Sequence, residues 1–453
     1  MNQTAAPTIN PDPLATPTPD VGRVALRTAT PIGVHAGVDF ISFAVVSLIP
    51  LLTTKLQLET WQVALMLGLS PVCSGAVQPL VAHLSDRHDH RWLGTAGIVL
   101  AGVCIGSTGL ATSYWQLITL FLLGQIGVGA FHPPAAAAVG HLAGKRMRGV
   151  ALGVFFLLGM IGGMSGNVLT PRIIGAIAGD DTPEQINAAL RWLLALGPIS
   201  ILLALAVAKA IHNIPHRHAD AHANHHALDE SERRRRWTNV GLLYVCNVIR
   251  FTVNNALIYL YVQWATSLAA SRAEAGATKE QISVDASVFN GILQAAMQFG
   301  AGFGGIGLGY LIGRRFGHTL EKPLFVVIPV LGAIGIAAFP FIAQLDTTAS
   351  PLATNAVALT VSAIGGLGFG SLIPVSMSIA QRLLPHRAAL ASGMMLGGAW
   401  CFAVVGPILA ERIHQDQDER LRTAFFAVAA LLTVSAVIGA TLDGKLLRES
   451  AHD

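Results

Sequence analysis

Long apolar runs separated by short polar breaks cover nearly the whole chain. Between Ile32 and Lys55 the one charged residue is Asp39, and from Leu93 to Gly144 there is no Lys, Arg, Asp or Glu at all. About 20 apolar residues cross the hydrocarbon core of a bilayer as a helix. Read this way, the pattern predicts twelve spans, at about residues 31–53, 60–83, 92–111, 115–142, 149–177, 187–209, 238–267, 287–312, 323–344, 353–381, 388–410 and 423–443. Residues 1–30 are rich in Pro, Thr and Ala, and are expected to form a disordered tail. No basic stretch precedes a short apolar core there, so no cleaved signal peptide is read.

Composition removes one alternative. Only 12% of the residues are charged and 53% are hydrophobic, with a mean hydropathy of +0.57, whereas a soluble chain carries roughly 25% charge. A soluble enzyme is excluded. The four cysteines, Cys73, Cys104, Cys246 and Cys401, all fall in apolar runs without CxxC spacing, so neither a disulfide nor a cysteine metal site is read. The basic pI, near 9.0, comes from Lys and Arg flanking the spans, and nucleic acid is not an expected partner. With the N-terminus placed inside, the inner loops, tails and adjoining span ends hold 20 Lys and Arg and the outer loops with their adjoining span ends 8. The positive-inside rule then puts both termini in the cytoplasm, in an inner (plasma) membrane protein.

The longest inner loop, residues 210–237, divides the chain into 31–209 and 238–443, with 444–453 as a second cytoplasmic tail. It carries His212, His216, His218, His222, His225 and His226, followed by Arg233 to Arg236. A solvated linker and a metal-binding tract both fit. The two halves repeat one another. Gly124, Gly127, Gly129 and Pro133 return 241 positions later as Gly365, Gly368, Gly370 and Pro374, and Gly166-Asn167 returns as Gly406-Pro407. Small residues let membrane helices approach closely, and duplicated halves place a transport site at the midplane between them. No Walker A sequence occurs, so the expected energy source is a gradient, without a cofactor.

Six plus six spans, paired motifs and a basic central loop resemble the major facilitator superfamily. After the second span that family shows G-x-L-x-D-R-x-G-R-R; here Leu84, Asp86, Arg87 and Arg91 match and both glycines are missing, while Arg314 stands in the second-half counterpart. The resemblance implies a conformational switch loop. Within the superfamily, His35-x-x-x-Asp39, Gln78-Pro79, Phe131-His132-Pro133 and the Gly159–Asn167 stretch are similar to fosmidomycin-resistance-type efflux transporters. Antiporters show G-x8-G-x3-G-P in the fifth span; Gly153, Gly162 and Gly166 keep that spacing, but Asn167 replaces the proline. Leu123 stands where many proton-coupled relatives carry arginine.

The candidate mechanism rests on polar groups inside spans. A charge at bilayer depth costs about 2.5–3.5 kcal/mol on insertion scales and turns inward. His35 and Asp39, four apart, share a helix face and could exchange a proton or fix helix packing. His132, before Pro133, is either a substrate or proton contact or a core histidine. Arg250 lies mid-span on a stripe with Asn247 and Asn254, beside Asn255. It is expected to face a central cavity and pair with Asp39 or an anionic substrate, or else to snorkel. The expectation is therefore an all-α membrane protein of twelve helices in two pseudo-symmetric six-helix bundles. It would be a monomer that exports a small organic compound or drug in exchange for protons. Uptake of a metabolite or organic anion, and export of a transition metal, are the rival readings.

Overall fold

The computed structural model describes residues 21–85, 90–179, 182–211, 229–342, 351–415 and 417–450, and among these there is no strand. The helices are α1 (Val21–Ser47), α2 (Ile49–Leu56), α3 (Thr60–Ser85), α4 (His90–Ser107), α5 (Tyr114–Leu142), α6 (Gly144–Ala178), α7 (Pro183–Leu190), α8 (Leu196–Ala210) and α9 (Glu230–Arg272). They continue as α10 (Lys279–Tyr310), α11 (Glu321–Ile342), α12 (Pro351–Gly370), α13 (Ile373–Leu383), α14 (Ala388–Gly393), α15 (Ala399–Cys401), α16 (Val405–His414), α17 (Asp418–Ala440) and α18 (Gly444–Glu449). Among the described residues twelve helical segments are long and apolar enough to cross a membrane, matching the twelve expected spans. The tenth combines α12 with α13 and the eleventh α14 to α16. Polar caps fix the short connections: Ser113 accepts from the Gln116 amide, Thr182 and Gln185 form a capping box, and Thr278 accepts from the Gln281 amide.

Three boundaries differ from the hydropathy reading. Helix begins at Val21, inside the expected tail, because nothing before Pro31 breaks it and Arg27 Nε donates to the last-turn carbonyl of Ala210 at 2.7 Å. The central linker is helical from Glu230, where Asp229 caps α9. Glu232 holds Arg236 at 2.9 Å, and Arg235 reaches Asp443 at 2.7 Å. The expected C-terminal tail folds as α18, with Leu446 and Leu447 buried. Asp443 caps it and, with Arg235 beside it, has its carboxyl held below the ordinary range. That contact is present above the ordinary carboxylate range and is lost as pH falls through the lowered one. The histidines from His212 to His226, together with Asp86 and Arg87, lie outside the described residues.

The repeated glycines do the same work in each half. A side chain at Gly127 would run into Gly97 and Ala101 of α4, and one at Gly368 into Gly332 of α11. Gly129 meets Ser74 of α3 where Gly370 meets Ala301 of α10. Gly162 and Gly166 lie on the α1 backbone at Ala36 and Phe40, and Gly406 lies on α9 at Thr252. Gly153 departs from this: open space surrounds it, so the packing role read from its spacing is not seen. The prolines also differ between copies. Pro133 sits within an unbroken α5, whereas Pro374 opens α13 after a break, and Pro407 is buried in α16.

Candidate functional site

α1, α5 and α6 bring three ionisable groups together in the first half. His35 is 2% exposed, while the side chains of Asp39 and His132 are 17% and 24% exposed. Nε2 of His35 stands 3.0 Å from Nε2 of His132. The Asp39 carboxylate closes the triangle, with one oxygen 3.3 Å from His35 Nε2 and the other 3.4 Å from His132 Nε2. The helix spacing alone pairs His35 with Asp39; the fold adds His132.

The far nitrogens fix the protonation of the near ones. His35 Nδ1 lies 2.7 Å from the Phe155 carbonyl, and His132 Nδ1 lies 2.7 Å from the Val128 carbonyl. A carbonyl only accepts, so both Nδ1 atoms donate. If both rings were neutral, two Nε2 lone pairs would face each other at 3.0 Å beside a carboxylate. A proton between them removes that repulsion and makes one ring an imidazolium, which Asp39 balances. The cluster can thus hold one proton with no net charge left at bilayer depth. The three ligand atoms also lie within 4.8 Å of one another, a spacing open to one divalent ion.

Packing leaves these rings little freedom. His35 stacks on Phe155, centroids 3.9 Å apart. The α6 backbone passes beneath at Gly159, where a methyl group would come 2.6 Å from His35 Nε2 and 2.7 Å from Asp39 Oδ2. Gly159→Ala is therefore expected to displace the triad without changing a titratable group. Proton-driven transport should fall at unchanged expression, as measured in vesicles, and full activity would contradict this geometry.

Arg250 is not at this site. It is fully buried, donates from Nη1 to Asn247 Oδ1 at 3.3 Å, and lies 4.8 Å over the Phe325 ring of α11. It forms no ion pair with Asp39. Its face of α9 turns into the second half's own core, so the expected cavity role is not seen here. Asn247 donates onward to Ser376 at 2.8 Å and to the Met395 carbonyl at 3.1 Å. Asn255 instead reaches the first half, donating to Leu67 O at 3.1 Å, while Asn254 is half-buried.

Two features escape a reading of the sequence. The first is a break in span 1. Pro50 has no N–H, so the Val46 carbonyl loses its helical donor. Asn290 of α10 supplies one at 3.0 Å and approaches Ser47 O at 3.4 Å, while the freed Leu51 amide donates to Ser287 Oγ at 3.2 Å. The second half thus clasps the first where α1 ends. Asn290→Leu should strand those buried carbonyls at about 1–3 kcal/mol. The closed state should lose about 5- to 150-fold in population, read as faster cysteine labelling near Leu51. Unchanged labelling would refute the clasp. The second feature is Glu321, 3% exposed, gripped through both oxygens by Arg382 at 2.8 and 2.7 Å and by His318 at 2.8 Å. These stand at span ends, where hydropathy reads them as boundary charges.

The comparisons agree with this architecture. Residues 33–404 match the family model of the Major Facilitator Superfamily, and the chain belongs to that family. It is similar to the fosmidomycin resistance protein of Escherichia coli (strain K12), at 25% identity over 164 residues. That match covers 36% of this chain and 40% of the relative's length. Among solved structures, a bacterial homolog of the human lysosomal transporter Spinster superposes with a TM-score of 0.70 at 16% identity, covering 95% of this chain and 98% of that one. A D-xylose-proton symporter gives 0.64 at 15%, covering 92% and 97%. The chain is a multi-pass membrane transporter and not an enzyme.

Proposed function

We propose that this transporter exports a small organic compound in exchange for protons, with His35, Asp39 and His132 as the proton carrier. The observation behind this is the pair of facing Nε2 atoms, whose outer nitrogens are both committed to carbonyls, beside a single carboxylate. The Phe-His-Pro likeness to a resistance protein supports export, and the excess of Lys and Arg on one side supports cytoplasmic termini in an inner membrane. The halves would rock about the midplane as six-helix units, acting within one monomer. Hydrogen bonds that join the halves, from Asn290 to Val46 O, from Asn255 to Leu67 O and from the Leu51 amide to Ser287, support a state closed on the side away from the termini.

The test is transport in proteoliposomes under an imposed pH gradient, with a panel of small organic compounds and a pH dye inside. Counterflow of protons and one compound is the expected result. No movement of any compound with the gradient would overturn the coupling. A divalent transition metal is the second reading, favoured by the 4.8 Å grouping. Gradient-driven movement of zinc without any organic substrate would establish it instead.

A further inference from the structure

Arg382 and Arg250 both lie in the second half, and they are treated differently. Arg382 has its charge met by both oxygens of Glu321. Arg250 is more deeply buried, with no exposed surface, and has no carboxylate among the described residues. Asn247 takes Nη1 and Phe325 covers the guanidinium at 4.8 Å. Nε and Nη2 have no hydrogen-bond partner among the described residues. Those two nitrogens form the side-on fork with which arginine binds anions.

Among the described residues the surroundings supply an amide oxygen and an aromatic face but no negative charge. Asn247 is held with its Oδ1 towards the guanidinium because its Nδ2 is engaged by Ser376 and Met395. One turn back on α9, Cys246 contacts the Ser435 carbonyl at 3.6 Å, and the buried Ser435 hydroxyl also has no partner among the described residues. A buried cation left uncompensated at bilayer depth is strongly disfavoured, and the means of compensation are a counter-charge or loss of the proton. Arginine keeps its proton. With no exposed surface, the guanidinium is closed to an organic substrate group in this state, and even a small ion at the fork needs the side chains around it to give way.

We propose that the Arg250 fork binds a small inorganic anion, chloride, inside the second half, bracketed by α9, α11 and α17. The site is separate from the His35–Asp39–His132 cluster and does not depend on the proton reading. The bound ion would neutralise Arg250 and tie α9 to α17, with the Ser435 hydroxyl as a further donor.

The test uses the purified full-length protein exchanged into gluconate buffer. Thermal unfolding is then followed at constant ionic strength as chloride or bromide replaces gluconate. Wild type should gain on the order of 2–4 °C, and Arg250→Met should show no halide dependence. Ser435→Ala should need more halide for the same shift. Should Arg250→Met fail to fold, wild-type crystals grown in bromide serve instead, with an anomalous peak expected beside Nε and Nη2. Equal melting in gluconate, chloride and bromide, or a wild-type fork occupied only by water in bromide crystals, would overturn the proposal.

Discussion

Asp39→Asn should abolish proton-driven transport while leaving a folded protein. The variant removes the charge that balances the imidazolium shared by His35 and His132. A lone cation at that depth costs about 2.5–3.5 kcal/mol, which lowers proton occupancy about 70- to 400-fold. The asparagine amide can donate to one Nε2, so the histidines stay packed against Phe155 and the fold survives. Downhill exchange of substrate without a proton gradient should persist, because the halves still close through Asn290 and Asn255. Proton-driven uptake into vesicles at the wild-type rate would remove Asp39 from the mechanism.

The second large effect is expected at Gly291. Its missing side chain lets α10 lie on the Asn167 carbonyl of α6, across the boundary between the halves. A methyl group there would overlap that oxygen and stand 3.0 Å from its carbon, with Pro171 Cγ at 3.4 Å. Backbone atoms cannot rotate aside, so Gly291→Val must part α6 from α10 or strain both. Overpacking of this kind costs about 1–3 kcal/mol, enough to shift a two-state equilibrium about 5- to 150-fold. Transport should drop by that order, with faster labelling of cysteines placed near Val284 and Gly175, which face each other on the same seam. Gly153→Ala is the control, since open space surrounds it. Equal loss in both variants would mean the wedge argument is wrong.

Helical periodicity and spacing made much of this legible. The twelve spans follow from hydropathy, and the 241-residue offset anticipated that Gly127 and Gly368 would serve equivalent crossings. His35 and Asp39 declared their shared face through an i,i+4 spacing. A sequence tells which residues share a face, though not which helix that face meets. For this reason His132 could be named as a candidate without its place opposite His35, and Arg250 was expected at a cavity when it turns towards Phe325. The decisive acceptors, Phe155 O and Val128 O, are backbone atoms and leave no mark on side-chain pattern. Gly159 was one glycine among many until α1 was seen beside it. Glu321 and Arg382 come 61 residues apart on separate helices, and only the packing of α11 against the end of α13 joins them.

The most direct measurement is proton release from the purified protein in weakly buffered detergent solution while a broad panel of ligands is titrated, with Asp39→Asn and His132→Ala alongside. Release that accompanies binding of one compound in wild type, and is absent from both variants, is the predicted result. Binding of a compound with no proton released in wild type, or release that persists in both variants, would contradict a carrier built from His35, Asp39 and His132.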